Sequence, residues 1–202
     1  MKNILFFSNG EKIGDGLIKL PFIYEVRKRF PNTQICWMTN EGNTVYNSRL
    51  KNIASQYIDI IYESVKLQPF FWKKISKKYK FEDVKFDCIF DTQKAVIRTI
   101  ALKRIKHNIF ISSAAFGFFS SKKILKQKKN KQYYVNELFD LLNLIKPDKI
   151  KNDYRFNIPF ELDKNIKKIF NNKLLYIGYA PGAGENDKIW HIDKYIKVIK
   201  YF

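Results

Sequence analysis

Asp15 is the first residue whose type and place could do chemistry. It lies in a glycine-bearing loop, Ser8-Asn9-Gly10-Glu11-Lys12-Ile13-Gly14-Asp15-Gly16, between a short apolar run and an amphipathic one. A carboxylate so placed can take a proton from a hydroxyl as a general base, or it can cap the helix that follows it. A second place lies far along the chain, at Ala180-Pro181-Gly182-Ala183-Gly184-Glu185-Asn186-Asp187-Lys188-Ile189-Trp190. Small residues there leave backbone N–H groups open, and Lys188 adds a point charge; together they can hold phosphate oxygens near a helix N-terminus. An ordinary glycine turn with an exposed lysine is the competing reading. A third place, Asp91-Thr92-Gln93, closes an apolar run and reads either as cleft lining or as a polar turn. Neither GxGxxG nor GxxxxGK[ST] occurs, so no dinucleotide fingerprint and no P-loop is present.

The elements that must position these residues alternate. Asn3–Ser8 is a continuous apolar run broken at Asn9-Gly10, as expected of a buried strand in a parallel sheet. Leu17, Ile18, Leu20, Ile23, Val26 and Phe30 recur at helical spacing, with Lys19, Glu25, Lys28 and Arg29 expected on the other side and Pro31 as the stop. Gln34–Thr39 reads as the next strand, closing a βαβ unit. Helix is expected over 43–53, strand over 58–62, a basic helix from Pro69 to Tyr79, strand over 86–91, helix over 94–106 and strand over 108–111. Lys122–Lys131 carries six lysines in ten positions and reads as an exposed loop. An amphipathic helix follows, from Tyr133 to Ile145, ended by Pro147. Beyond a polar linker the pattern resumes with helix over 162–170, strand over 174–179 and helix from His191. Such alternation predicts an α/β protein with a doubly wound parallel sheet.

Composition narrows the function classes. The chain has 202 residues, 46% of them hydrophobic, enough for a real core. Two cysteines, Cys36 and Cys88, exclude a disulfide scaffold and a four-thiolate zinc site. The two histidines, His107 and His191, have no HExxH spacing, so they read as surface or packing residues. No apolar run reaches the roughly 18–20 residues that span a bilayer. The formal net charge of +19 suits an anionic partner, yet only six of the 38 basic residues are Arg. Base-reading positions favour Arg, and Trp37, Trp72 and Trp190 are too dispersed for a stacking platform, so no nucleic-acid partner is expected.

Four pieces taken in order resemble the heptosyltransferases, glycosyltransferase family 9. They are Ile13-Gly14-Asp15 after the first strand; Leu20-Pro21 and Phe30-Pro31 along the first helix; Asp91-Thr92-Gln93, followed by Lys94 where the family usually has Gly; and Pro181-Gly182-Ala183 with Lys188-Ile189-Trp190. The resemblance implies a GT-B architecture, in which a Rossmann-like N-terminal domain over 1–148 binds the acceptor. A linker would follow over 149–160, and an incomplete second Rossmann-like domain, for the nucleotide-sugar, over 161–202. It implies an inverting glycosyltransferase that uses no metal and no other cofactor. By residue-wise carry-over Asp15 is the general base, and Ala183, Gly184 and Lys188 contact the donor's phosphates. Gly14, Asp91 and Gln93 line the cleft. Expected partners are a nucleotide-sugar donor such as ADP-heptose, a glycolipid acceptor of the lipopolysaccharide core type and, through the lysine-rich segments, the anionic inner-membrane surface. The expected compartment is the cytoplasm.

Family members run well past 300 residues, so the chain is expected to be a fragment and inactive or nearly so alone. Three other readings stay open at this stage: a basic nucleic-acid-binding protein, another GT-B or Rossmann-like nucleotide-sugar enzyme, and a non-catalytic remnant that serves a partner.

Overall fold

The structure, a computed structural model, describes residues 1–70, 79, 83–124, 133–148, 158, 160–170, 174, 176–179, 182 and 188–201. Most of the basic helix expected over 69–79, most of the Lys122–Lys131 segment and most of the 149–160 linker lie outside the described residues. The chain divides into two compact units, Met1–Asn157 and Ile158–Phe202.

The first unit is built on five parallel strands. These are β1 (Asn3–Ser8), β2 (Gln34–Thr39), β3 (Ile60–Tyr62), β4 (Phe86–Asp91) and β5 (His107–Ser112), in the order β3-β2-β1-β4-β5. From β1 the chain winds outward to β2 and β3, then returns to the other side of β1 for β4 and β5. The strand order therefore reverses between β1 and β4, where the register pairs Ile4 with Cys88 and Phe7 with Asp91. In open sheets of this kind the crevice at such a reversal, beyond the carboxyl ends of the strands, is where ligands bind.

Alternating residues feed two cores. Ile4, Phe6, Ile35, Trp37, Cys88 and Phe90 point to one face, together with Leu20, Phe22, Ile23 and Val26 of α1 (Ile13–Arg29). Leu138, Phe139, Leu141 and Leu142 of α4 (Tyr134–Asn143) join the same face. Leu5, Phe7, Cys36, Met38, Ile89 and Phe110 point to the other, covered by Ala101 and Leu102 of α3 (Val96–Leu102) and by Val65, Leu67 and Ile105. Burial on both faces is why the strands read as unbroken apolar runs. It also pushes the Cys36 and Cys88 thiols up to about 12.

Several expectations are corrected. Residues 43–53 form a 3₁₀ turn (Val45–Asn47) and one helical turn, α2 (Lys51–Ala54), rather than a continuous helix. Here the Thr44 hydroxyl caps the turn by accepting from the Tyr46 N–H at 3.3 Å, and the Tyr46 hydroxyl donates across to the Gly16 carbonyl at 2.9 Å, so a local cap and a tertiary bond replace a longer ladder. The polar side of α1 is also misassigned by simple periodicity. Lys19, Glu25 and Arg29 are buried, while Leu17 and Ile18 are exposed. Each buried charge is neutralised locally: Lys19 by Glu11 at 3.3 Å, and Arg29 by Glu25 at 2.8 Å. Arg29 also donates to Asn143 Oδ1 and the Lys146 carbonyl, tying α1 to the end of α4.

In the second unit the described elements are α5 (Phe160–Ile169) and α6 (Ile192–Tyr201), with no buried residue in either. Leu174 and Tyr176–Tyr179 are exposed and carry no strand pairing, contrary to expectation. A strand is completed by its ladder, and no described residue offers one here.

Candidate functional site

The loop after β1 carries the sequence's leading candidates to the sheet's carboxyl edge. α1 opens at Ile13 with Lys12 as its N-cap, and Lys12 makes no side-chain capping bond. Asp15 is therefore the third helical residue, not the cap. Its carboxylate is exposed, and it makes no hydrogen bond or ion pair with any described residue. A carboxylate in the first turn is favoured by the helix dipole, which supplies partial positive charge at that end. Gly14 is exposed beside it, with open space where a Cβ would stand.

Gly10 in the loop and Gly16 at the start of α1 serve the chain itself. Gly10 has φ +111°, and a Cβ there would sit 2.7 Å from the Glu41 carbonyl oxygen. A Cβ on Gly16 would meet Val45 Cγ2 at 2.4 Å. These glycines let the loops after β1 and β2 close on each other, which fixes the entry of α1.

Under the loop lies a buried polar cluster that sequence reading missed. Glu11 Oε1 accepts from Lys19 Nζ at 3.3 Å and from Trp37 Nε1 at 3.1 Å, and Oε2 accepts from Thr44 Oγ1 at 2.7 Å. The Lys19 ammonium also stands 5.7 Å from the Trp37 ring centroid. Tyr46 packs edge-on to Trp37 at 4.9 Å, and burial, helped by the Glu11 and Asp15 charges, raises its phenol well above the usual range. The sequence offered one signal: a charged residue within a helix whose neighbours Leu20, Phe22 and Ile23 are all core.

Across the strand reversal, the loop after β4 is organised by Asp91. Its residue is 1% exposed, so its carboxylate lies beneath the edge rather than on it. Oδ2 accepts from Thr99 Oγ1 at 2.5 Å and Ser112 Oγ at 2.9 Å, while Oδ1 accepts from the Gln93 N–H at 2.9 Å. Burial raises its pKa, and the three donors pull the other way. Gln93 is half-buried in the loop that Asp91 shapes. Thr92 ties this loop to β1, giving both its N–H and its hydroxyl to the Phe7 carbonyl, at 3.1 Å and 2.8 Å. Tyr134, at the start of α4, donates to the Thr92 carbonyl at 2.8 Å, and its burial pushes the phenol up to about 12.

Gly14 and Asp15 thus lie in the first turn of α1, just past the carboxyl end of β1, while Asp91 closes β4 and Gln93 follows it in the loop. Lys188 is exposed in the second unit, four residues before α6 begins. Ala183 and Gly184 lie outside the described residues. Among the described residues no group of three His, Cys, Asp or Glu could hold a metal ion, and no helix is long and apolar enough to cross a membrane.

No family model matches the chain, and no curated protein matches it by sequence. Solved structures do. Escherichia coli heptosyltransferase WaaC, bound to ADP-2-deoxy-2-fluoro heptose, aligns over 98% of this chain at 15% identity and a TM-score of 0.59. A glycosyl transferase family 9 protein from Veillonella parvula DSM 2008 aligns over all of it at 16% identity and a TM-score of 0.60. WaaC with ADP aligns over 76% at 18% identity and a TM-score of 0.51. The chain spans 65% and 60% of the first two proteins and 51% of the third. The five-stranded parallel α/β fold is the one these glycosyltransferases share.

Proposed function

We propose that the chain is the acceptor-side domain and the opening of the donor-side domain of an inverting glycosyltransferase. Residues 1–148 would bind the acceptor, 149–160 would link, and 161–202 would begin the nucleotide-sugar domain. The observation that carries the reading is Asp15: an exposed carboxylate, unpaired among the described residues, in the first turn of α1 at the sheet's carboxyl edge where the strand order reverses. Its support is the shared fold, together with neighbours that were solved with ADP and an ADP-heptose analogue.

Inverting transfer asks for two things. A base must take the proton of the acceptor hydroxyl as it attacks the anomeric carbon, and the departing diphosphate needs its growing charge stabilised. Asp15 suits the first task, because no donor among the described residues occupies its lone pairs. Lys188, with the backbone N–H groups at Ala183 and Gly184, suits the second, near the start of α6. A cation of the protein's own then does what a metal would otherwise do. Gly14 gives the acceptor room to approach, and Gln93, in the loop that Asp91 holds, would line the same cleft.

The donor we favour is ADP-heptose and the acceptor a lipopolysaccharide-core glycolipid. The excess of lysine then suits attraction to anionic lipid at the cytoplasmic face of the inner membrane.

The test is a transfer assay on the protein at the length its gene encodes, with ADP-heptose and a lipid A-type acceptor. Asp15→Asn should lower kcat by about 10²–10⁴-fold with KM for the donor little changed. The product's anomeric configuration, read by NMR, should be opposite to the donor's. An undiminished rate in the Asp15→Asn enzyme, or a retained configuration, would remove this reading.

A further inference from the structure

Asp15 and Lys19 stand one helical turn apart on α1, the spacing at which a carboxylate and an ammonium ordinarily pair. Here the ammonium is turned away. Lys19 is 4% exposed, and its Nζ is held by Glu11 Oε1 at 3.3 Å and faces the Trp37 ring. Glu11 is itself anchored by Trp37 Nε1 and Thr44 Oγ1, so its position does not depend on Lys19. A buried ion pair adds little net stability, because desolvation offsets its attraction; two apolar side chains of similar volume would serve packing as well. A role in placing charge accounts better for this one.

We propose that Glu11 is a positioning residue for Asp15: it captures and neutralises the Lys19 ammonium beneath the first turn of α1, leaving the Asp15 carboxylate free to take a proton. This rests on the reading of Asp15 as the base. Among the described residues, other ionisable groups near this end of the helix include Lys12 at the N-cap, Glu41 with its partner Arg98, Glu63 bonded to the Thr44 N–H, Tyr46 from the 3₁₀ turn, Tyr134 and Glu137 from α4, and Asp91 from β4. Burial keeps both phenols neutral near pH 7. Glu137 is paired with Lys94 at 2.6 Å, and Asp91 is occupied by its three donors. Lys19 is thus the buried cation one turn from Asp15 on the same helix, and Glu11 is the group that cancels it.

Carboxyl-detected NMR of the chain during an acid titration tests this directly. In Glu11→Gln the Asp15 signal should move at a pH lower by about half a unit or more, because the lysine charge is uncovered. In Lys19→Met it should move at a higher pH by a similar amount, and in the double variant at the pH of the unmodified chain. Opposite signs from the two single variants are not what general loosening would produce. Shifts of the same sign, or none, overturn the proposal.

Either single variant strands a buried charge and can unfold the chain. Asp15→Asn, a surface change, therefore provides a second measurement. The Lys19 Nζ and Trp37 indole signals should stay in place; a marked move of the lysine signal would mean that Asp15 was its partner and would overturn the proposal. Neither measurement uses sugar transfer, so an Asp15→Asn enzyme that keeps its rate would sink the base assignment while leaving the Glu11–Lys19 result standing.

Discussion

Ser112 Oγ donates to Asp91 Oδ2 at 2.9 Å, and this bond joins the ends of β4 and β5 inside the protein. The same carboxylate fixes Gln93, so one buried charge shapes both loops on that side of the strand reversal. Burial raises the pKa of Asp91 in the folded state. A raised folded-state value means that the folded chain holds the proton more tightly than the unfolded one. The associated stability is present below the ordinary aspartate range, near 4, and is lost as pH rises through the folded value. Asp91→Asn removes that term. Denaturant unfolding at a series of pH values should therefore show the unmodified chain losing ground to the variant as pH rises from about 3.5 to 7. A gap that widens in favour of the unmodified chain over that interval would contradict the assignment.

Gly14 and Gly16 make opposite predictions two residues apart. Alanine at Gly16 would push its Cβ to 2.4 Å from Val45 Cγ2 and 3.1 Å from Leu50 Cδ1. Overpacking of this kind costs about 1–3 kcal/mol. Alanine at Gly14 meets nothing within 4 Å and gains helix propensity, up to about 1 kcal/mol. Urea midpoints should fall for the first variant and hold or rise for the second.

The strands were legible because burial on both faces leaves an unmistakable mark. Asn3–Ser8, Gln34–Thr39 and Phe86–Asp91 are short apolar runs, and the structure places strands with those same bounds. What periodicity could not see was compensation between charges. Lys19 and Arg29 look like surface residues until Glu11 and Glu25 are found beside them, and Glu11 lies eight positions from its partner. Asp15 was visible as a candidate, but its freedom was not, because that depends on where Lys19 points. Leu174 and Tyr176–Tyr179 differ for another reason: an apolar run says that a segment could pair, and no described residue pairs with it here.

Arg29 offers the clearest test of the buried charges. Its guanidinium bridges Glu25 in α1 to Asn143 and the Lys146 carbonyl beyond α4. Arg29→Met strands Glu25, leaving it, among the described residues, Lys28 at 3.7 Å. Removing one partner of a buried pair costs about 3–5 kcal/mol, whereas replacing both with apolar residues is often close to neutral. The double variant Glu25→Leu/Arg29→Met should therefore unfold at a higher denaturant concentration than Arg29→Met alone. If the double variant proved the weaker of the two, the pair would be contributing more than mutual neutralisation.

The turn after β5 stores strain in plain view. Ala115 and Phe116 have φ +48° and +56°, and Gly117 follows at +82°. Left-handed backbone costs a non-glycine residue about 1–2 kcal/mol. Phe116 recovers none of this through packing, since its side chain is fully exposed, and the neighbouring Phe118 is 82% exposed. Gly117 cannot relax the turn by taking a side chain, because a Cβ there would meet Ile124 at 2.8 Å. Phe116→Gly should therefore raise the thermal midpoint, with Ala115→Gly smaller in the same direction, as glycine's greater freedom in the unfolded chain offsets part of the gain. Gly117→Ala should lower it. A Phe116→Gly chain that melts earlier would mean that the ring is packed in solution.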